Sequence, residues 1–126
     1  MSIHCFTDAR RDPRVRVPAM YSDVRARPKG ARRYAWSGHV YDISRSGMRF
    51  EFDEAVEVGT AIEVRLVLPG LGGKPIRLSG RVVRVELDDD EPGPVQMAMS
   101  FATFHSESDA RRLDEYLAAR GLRVAA

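Results

Sequence analysis

The sequence predicts a mainly β domain closed by one C-terminal helix. Three observations predict it: about six short segments in which apolar and polar residues alternate, clusters of turn-forming residues between them, and one late segment with helical spacing. Short strands at close spacing followed by a helix fit an antiparallel β-barrel, or a tight sandwich, with the helix packed against it.

Residues 1–9 are polar and without periodicity and are expected to form a tail. Val15, Val17 and Ala19 alternate with Arg14, Arg16 and Pro18, which predicts a first strand with Pro18 at an edge or a bulge. Pro28 and Gly30 make the stretch 25–33 (RARPKGARR) read as a basic hairpin loop. The strand 36–42 follows, then a turn, then 48–52, where Met48, Phe50 and Phe52 share one face and Arg49 and Glu51 the other. The segment 61–68 places Ile62, Val64, Leu66 and Leu68 on one face. The stretch PGLGGKP (69–75) is a strong turn signal. The strand 76–86 is expected to bend at Gly80. An acidic loop with DDDE at 88–91 lacks the spacing of a calcium-binding loop and reads as solvated. The last strand is expected over 95–101. Ser106, with Asp109 three residues on, predicts a helix N-terminus, and Ala110, Leu113, Tyr116 and Leu117 its buried stripe. Gly121 sits where that helix should stop. The expected organisation is a tail (1–9), one domain (10–121, with the barrel over 10–104 and the helix over 105–121) and a short tail (122–126).

The 126 residues suffice for one compact core. No apolar run approaches a membrane span, and the N-terminus lacks the apolar stretch of a secretory signal. Cys5 is alone, so neither an internal disulfide nor a zinc knuckle is expected, and the expected setting is the cytoplasm. The net charge of +2 conceals an asymmetry. Residues 1–49 carry 11 Lys/Arg against 4 Asp/Glu, and the rest of the chain 9 against 14. The front of the chain suits an anionic partner.

Enzyme machinery is not legible. His4, His39 and His105 lack a carboxylate or cysteine at catalytic or metal-ligand spacing. Ser44 and Ser46 stand outside a G-x-S-x-G frame, and the glycines at 70, 72 and 73 precede no helix. No enzyme activity, metal or cofactor is expected.

Two constellations remain. Arg10 and Arg14 form an RxxxR spacing just before the first strand. Asp42, Ser44 and Gly47 form a DxSxxG spacing between two strands. Either alone is weak: the first occurs in any arginine-rich stretch, and the second can be a turn in which Gly47 supplies a positive φ. Together, in this order, and followed by GMRFEF, GRVVRVE and MAMSF, they resemble the PilZ family. The resemblance implies a six-stranded antiparallel β-barrel with a C-terminal α-helix, and a receptor for cyclic di-GMP. It implies that Arg10 and Arg14 clamp the ligand, with Arg11 beside them, and that Asp42 accepts from a guanine edge. It further implies that the Ser44 hydroxyl bonds a phosphate or the turn, and that Gly47 admits the ligand to the main chain. Arg45 and Arg84 are secondary candidates; Arg84 stands where many relatives carry an aromatic, and it can stack on guanine.

These residue types suit the ligand. A guanidinium forks onto phosphate oxygens or guanine O6/N7 and stacks on bases. The expected output is ligand-driven ordering of the arginine segment, which a partner protein then reads. Two other readings stand beside it. One is a PilZ-like adaptor that binds protein and ignores nucleotide; the intact motif pair counts against it. The other is a small nucleic-acid-binding barrel using residues 25–33, against which stands the scarcity of aromatics among the basic residues, only Tyr34 and Trp36 being near.

Overall fold

The computed structural model describes residues 13–86 and 93–122. The tail 1–9, Arg10 and Arg11, the acidic stretch 88–91 and residues 123–126 lie outside the described residues. Seven strands precede the helix: β1 (Val15–Arg16), β2 (Asp23–Pro28), β3 (Trp36–Ile43), β4 (Gly47–Phe52), β5 (Ala61–Val67), β6 (Ile76–Glu86) and β7 (Val95–Phe104). The helix, α1, spans Glu107–Leu117.

Six strands close a barrel in the order β3-β2-β5-β6-β7-β4, with β4 pairing back onto β3, every pair antiparallel. Strand β3 makes closure possible because it serves two neighbours. Its start, Trp36–Gly38, pairs with β2, and its length from Gly38 to Ile43 pairs with β4. The extra strand β1 then takes the edge that β2 leaves free, with Val15 opposite Ile43 and Arg16 opposite Asp42. Alternation fills the interior: Val24 and Ala26, Phe50 and Phe52, Ile62, Val64 and Leu66, Ile76 and Leu78, and Met97 and Met99 all point inward and are buried.

The six-stranded barrel with a C-terminal helix is as expected, but its membership differs. Residues 25–33 are not a loop throughout, because 25–28 belong to β2. Val24 and Ala26 are fully buried while Arg25 and Arg27 face outward. Pro28 falls at the strand end, where no ladder donor is required. The expected first strand is shortened to Val15–Arg16, and Pro18 turns the chain into a 3₁₀ turn over Ala19–Tyr21. Ala19 is therefore not part of a strand, although Val15 and Val17 are buried as their alternation predicts. Strand β7 runs three residues beyond the expected 101, to Phe104.

Ser106 caps α1, its side chain accepting from the Asp109 N–H. Leu113, Tyr116 and Leu117 are buried against the barrel; Ala110, expected with them, is only half-buried. Gly121 does not stop the winding, which continues beyond Leu117 as a π-helical turn over Ala118–Leu122. Asp109 is buried too, and for a specific reason. At Arg77 the β6–β7 ladder has run out, and the Arg77 N–H donates instead to Asp109 Oδ1 at 3.0 Å, while the Arg77 carbonyl accepts from His105 N–H at 2.9 Å. The helix start thereby finishes the sheet.

Candidate functional site

The turn between β3 and β4 sets the register that builds the site. With Ile43 opposite Met48, Asp42 falls opposite Arg49, and Arg49 in turn falls opposite Ala98 of β7. On the other side Asp42 faces Arg16 of β1, and Ala98 faces Arg84 of β6. Directly opposed residues in antiparallel strands share a face. One outward row therefore crosses five strands: Arg16, Asp42, Arg49, Ala98, Arg84. Three cations and one carboxylate lie on it, with the methyl of Ala98 as its low point. A cleft of about 330 Å³ follows this row, also bordered by Tyr41, Glu86 and Gln96.

Asp42 is the centre of the cleft and is only 7% exposed. Arg14, from the segment before β1, donates through Nη1 to Asp42 Oδ1 at 2.9 Å. Arg49 donates through Nε to Asp42 Oδ2 at 2.6 Å. The two sequence motifs thus meet at one carboxylate, each oxygen taken by a different arginine. Both arginines keep about half of their side-chain surface in solvent. Tyr41 is the extra residue of a bulge between Val40 and Asp42, and its hydroxyl donates to the Glu51 carboxylate at the cleft margin.

The remaining motif residues shape the turn. Ser44 is fully buried; its N–H donates to the Gly47 carbonyl at 2.8 Å, and its hydroxyl oxygen accepts from the Ser46 N–H at 3.2 Å. The Ser46 carbonyl accepts from Phe101 N–H at 2.8 Å, which fastens the turn to β7. Gly47 does not carry the positive φ that the motif suggested. Its requirement is steric instead: a Cβ there would stand 2.5 Å from the Met99 carbonyl oxygen, closer than side-chain carbons come to backbone. Arg45 points away from the cleft and pairs through Nε with Asp114 of α1 at 3.1 Å. Arg84 lies in the cleft beside Glu86, 3.7 Å away.

Of the candidates, Asp42 and Arg84 line one cleft, Arg14 pairs with Asp42, Ser44 and Gly47 hold the adjoining turn, and Arg45 reaches the helix. Arg10 and Arg11 lie outside the described residues. Arg16 and Arg49 were missed by sequence reasoning. Arg49 could have been found by counting: a turn that pairs 43 with 48 must pair 42 with 49.

Comparison with known proteins follows the same line. The family model of the PilZ domain matches residues 8–119. No curated protein matches the chain. Among solved structures, similarity is found to the Bacillus subtilis inhibitor of motility MotI/DgrA, with a TM-score of 0.65 and 20% identity over 90% of this chain and 52% of that one. A MrkH–c-di-GMP complex from K. pneumonia gives 0.67 and 23%, over 91% of this chain and 53% of that one. The PilZ domain of YcgR from Escherichia coli with c-di-GMP gives 0.60 and 15%, over 90% and 92%. The chain spans about half the length of the first two. With the family model covering nearly all of the barrel and helix, the chain belongs to the PilZ domain family.

Proposed function

We propose that the domain is a cyclic di-GMP receptor and that the cleft around Asp42 is its binding site. The observation that carries this reading is the contact between the motifs: Arg14 of RxxxR lies 2.9 Å from Asp42 of DxSxxG, and Asp42 lines a cationic cleft. An ionised carboxylate offers about four lone-pair sites. Two are occupied by Arg14 and Arg49, which leaves acceptors for the N1–H and N2–H of a guanine. Arg49 holds the carboxylate in place from the sheet. Arg14, bound from the flanking segment and half exposed, is the partner a phosphate can draw away, because Arg49 stays on the carboxylate when it leaves.

The other residues take graded roles. Arg10 and Arg11 join Arg14 on the ligand from the N-terminal segment. Ser44 and Gly47 fix the turn that presents Asp42. Arg49 and Arg84 stand two strands apart, ~10 Å, with Ala98 between them, room for a planar base to lie beside a guanidinium. Ligand binding orders the arginine segment, and the altered surface is read by a partner protein in the cytoplasm. The domain acts by binding and not by catalysis.

Isothermal calorimetry with cyclic di-GMP tests this. Micromolar or tighter binding is expected for the wild type, with a loss of at least tenfold, about 1.4 kcal/mol, in Arg14→Ala. No heat and no thermal shift with the wild type would sink the receptor reading.

A further inference from the structure

A second charged surface lies across the barrel from this cleft. Strands β2, β5 and β6 align Arg25, Arg65 and Arg77 directly opposite one another. Each stands between two inward-pointing buried residues, so all three guanidinium stems leave the barrel on the outer face. Adjacent strands are ~4.8 Å apart, so three like charges fall within ~10 Å. Like charges opposed across strands oppose folding. The compensation within the chain is slight. Among the described residues, Arg25 meets only Asp23 at 3.5 Å, and neither Arg65 nor Arg77 has a carboxylate partner for its side chain. The next row holds one neutralised pair, Arg27 Nε to Glu63 Oε1 at 2.9 Å. Beside it a hollow of about 420 Å³ opens between Arg27, Tyr34, Glu63, Arg77, Ser79 and His105.

We propose that this wall docks an acidic segment of a partner protein. It deepens the receptor reading and rests on it for the existence of an output partner. Charge complementarity supplies the occupant: carboxylates are bidentate acceptors for guanidinium groups, and the row offers three in a line. Nucleic acid fits less well. Its single-strand sites rely on open aromatic platforms. Tyr34 is the aromatic side chain of the hollow, and its ring is covered by the Arg27 guanidinium at 4.8 Å.

The test uses the full chain and fluorescent poly-L-glutamate as the probe, by anisotropy at low salt and without nucleotide. Saturable binding is expected for the wild type, weakened tenfold or more in the Arg65→Gln/Arg77→Gln double variant. The control Arg111→Gln/Arg120→Gln, which removes two charges from the helix and its extension, should bind within twofold of wild type. The wall variant should also melt higher than wild type, since it relieves the opposed charges. Equal weakening by both double variants would reduce the effect to net charge and overturn the proposal. So would absence of binding, a lower melting point of the wall variant, or tighter wall-dependent binding of oligo-dT than of polyglutamate. Self-association abolished by the wall variant would assign the wall to a second copy and overturn it as well. Cyclic di-GMP calorimetry on the same proteins separates the two readings: the wall variant should bind nucleotide as wild type does, whatever happens with polyglutamate.

Discussion

Replacing Gly47 by alanine separates a glycine that touches ligand from one that closes a barrel. Gly47 opens β4, opposite Ser100 of β7, and a Cβ built on it would lie 2.5 Å from the Met99 carbonyl oxygen. An ordinary contact of that kind needs about 3.4 Å or more, so the strands must part by ~1 Å or the turn must shift. The obstacle is backbone on both sides, and β4 and β7 are each paired on their other edges, so neither can swing away freely. Overpacking of this kind costs about 1–3 kcal/mol. For a chain of this size that is a drop of roughly 4–12 °C in melting temperature. The variant should lose this stability with no ligand present, by thermal or urea melting followed by circular dichroism. Its affinity for cyclic di-GMP, measured well below the melting transition, should fall less than that of Arg14→Ala. A Gly47→Ala protein as stable as wild type but unable to bind would refute the steric reasoning and return Gly47 to direct ligand contact.

Three further outcomes follow from the charged contacts. Asp109→Ala should destabilise by about 2–3 kcal/mol in urea melts, because it strands the Arg77 N–H and removes the carboxylate that meets Ser106 and Arg112. Burial alone would raise the Asp109 carboxyl, but hydrogen bonds from Ser106 and the Arg77 N–H, with the charges of Arg112 and His105, bring it below its ordinary 3.8. A lowered folded value gives stability that is complete above the ordinary value and lost as pH falls through the folded one. Wild type should therefore lose stability below about pH 3.8 in part through this group, and Asp109→Asn should show a shallower acid limb. Arg49→Gln should weaken cyclic di-GMP by 5- to 30-fold, about 1–2 kcal/mol. Its stability should fall by no more than about 1 kcal/mol, since the Arg49 side chain is half in solvent and rehydrates when Asp42 is left to Arg14.

Most strands were legible because alternation decides them wherever one face is buried. Ile62 to Leu68 and Met48 to Phe52 leave no other arrangement that hides their apolar sides. Strand β2 was illegible for the opposite reason. Its inward residues are only Val24 and Ala26, and Pro28 and Gly30 beside them give a stronger local turn signal. Its place in the barrel comes from pairing on both edges with β3 and β5, which local pattern does not encode. The site divides similarly. Arg14 and Asp42 were named from the family resemblance that their paired motifs carry, and Arg49 was recoverable from the hairpin register. Arg45 was named as a secondary candidate, but its tie to α1 was not legible, because its partner Asp114 arrives with a helix 69 residues later. The positive φ expected of Gly47 failed because a glycine in a turn motif has two possible causes, conformation and close approach. Only the neighbouring strand distinguishes them.

The barrel is a poor moving part. Its ladders close on themselves, and its interior is packed by inward side chains from every barrel strand. The charged links on its outside are different. Arg14–Asp42 ties the segment before β1 to the cleft, and Arg45–Asp114 ties the motif turn to α1, each with a half-exposed arginine. The Arg45–Asp114 pair, exposed on both sides, contributes about 1 kcal/mol or less. Either arginine can exchange partners without disturbing the packed interior. If the proposed receptor reading holds, a ligand carrying two phosphates would act on this class of contact, through Arg14 beside Asp42. On this frame a receptor signals by exchanging ion pairs at its margins, with the barrel as the fixed reference. The wall of Arg25, Arg65 and Arg77 would then be a constant docking surface. The part of the molecule that changes with ligand would be what the segment before β1 covers or uncovers.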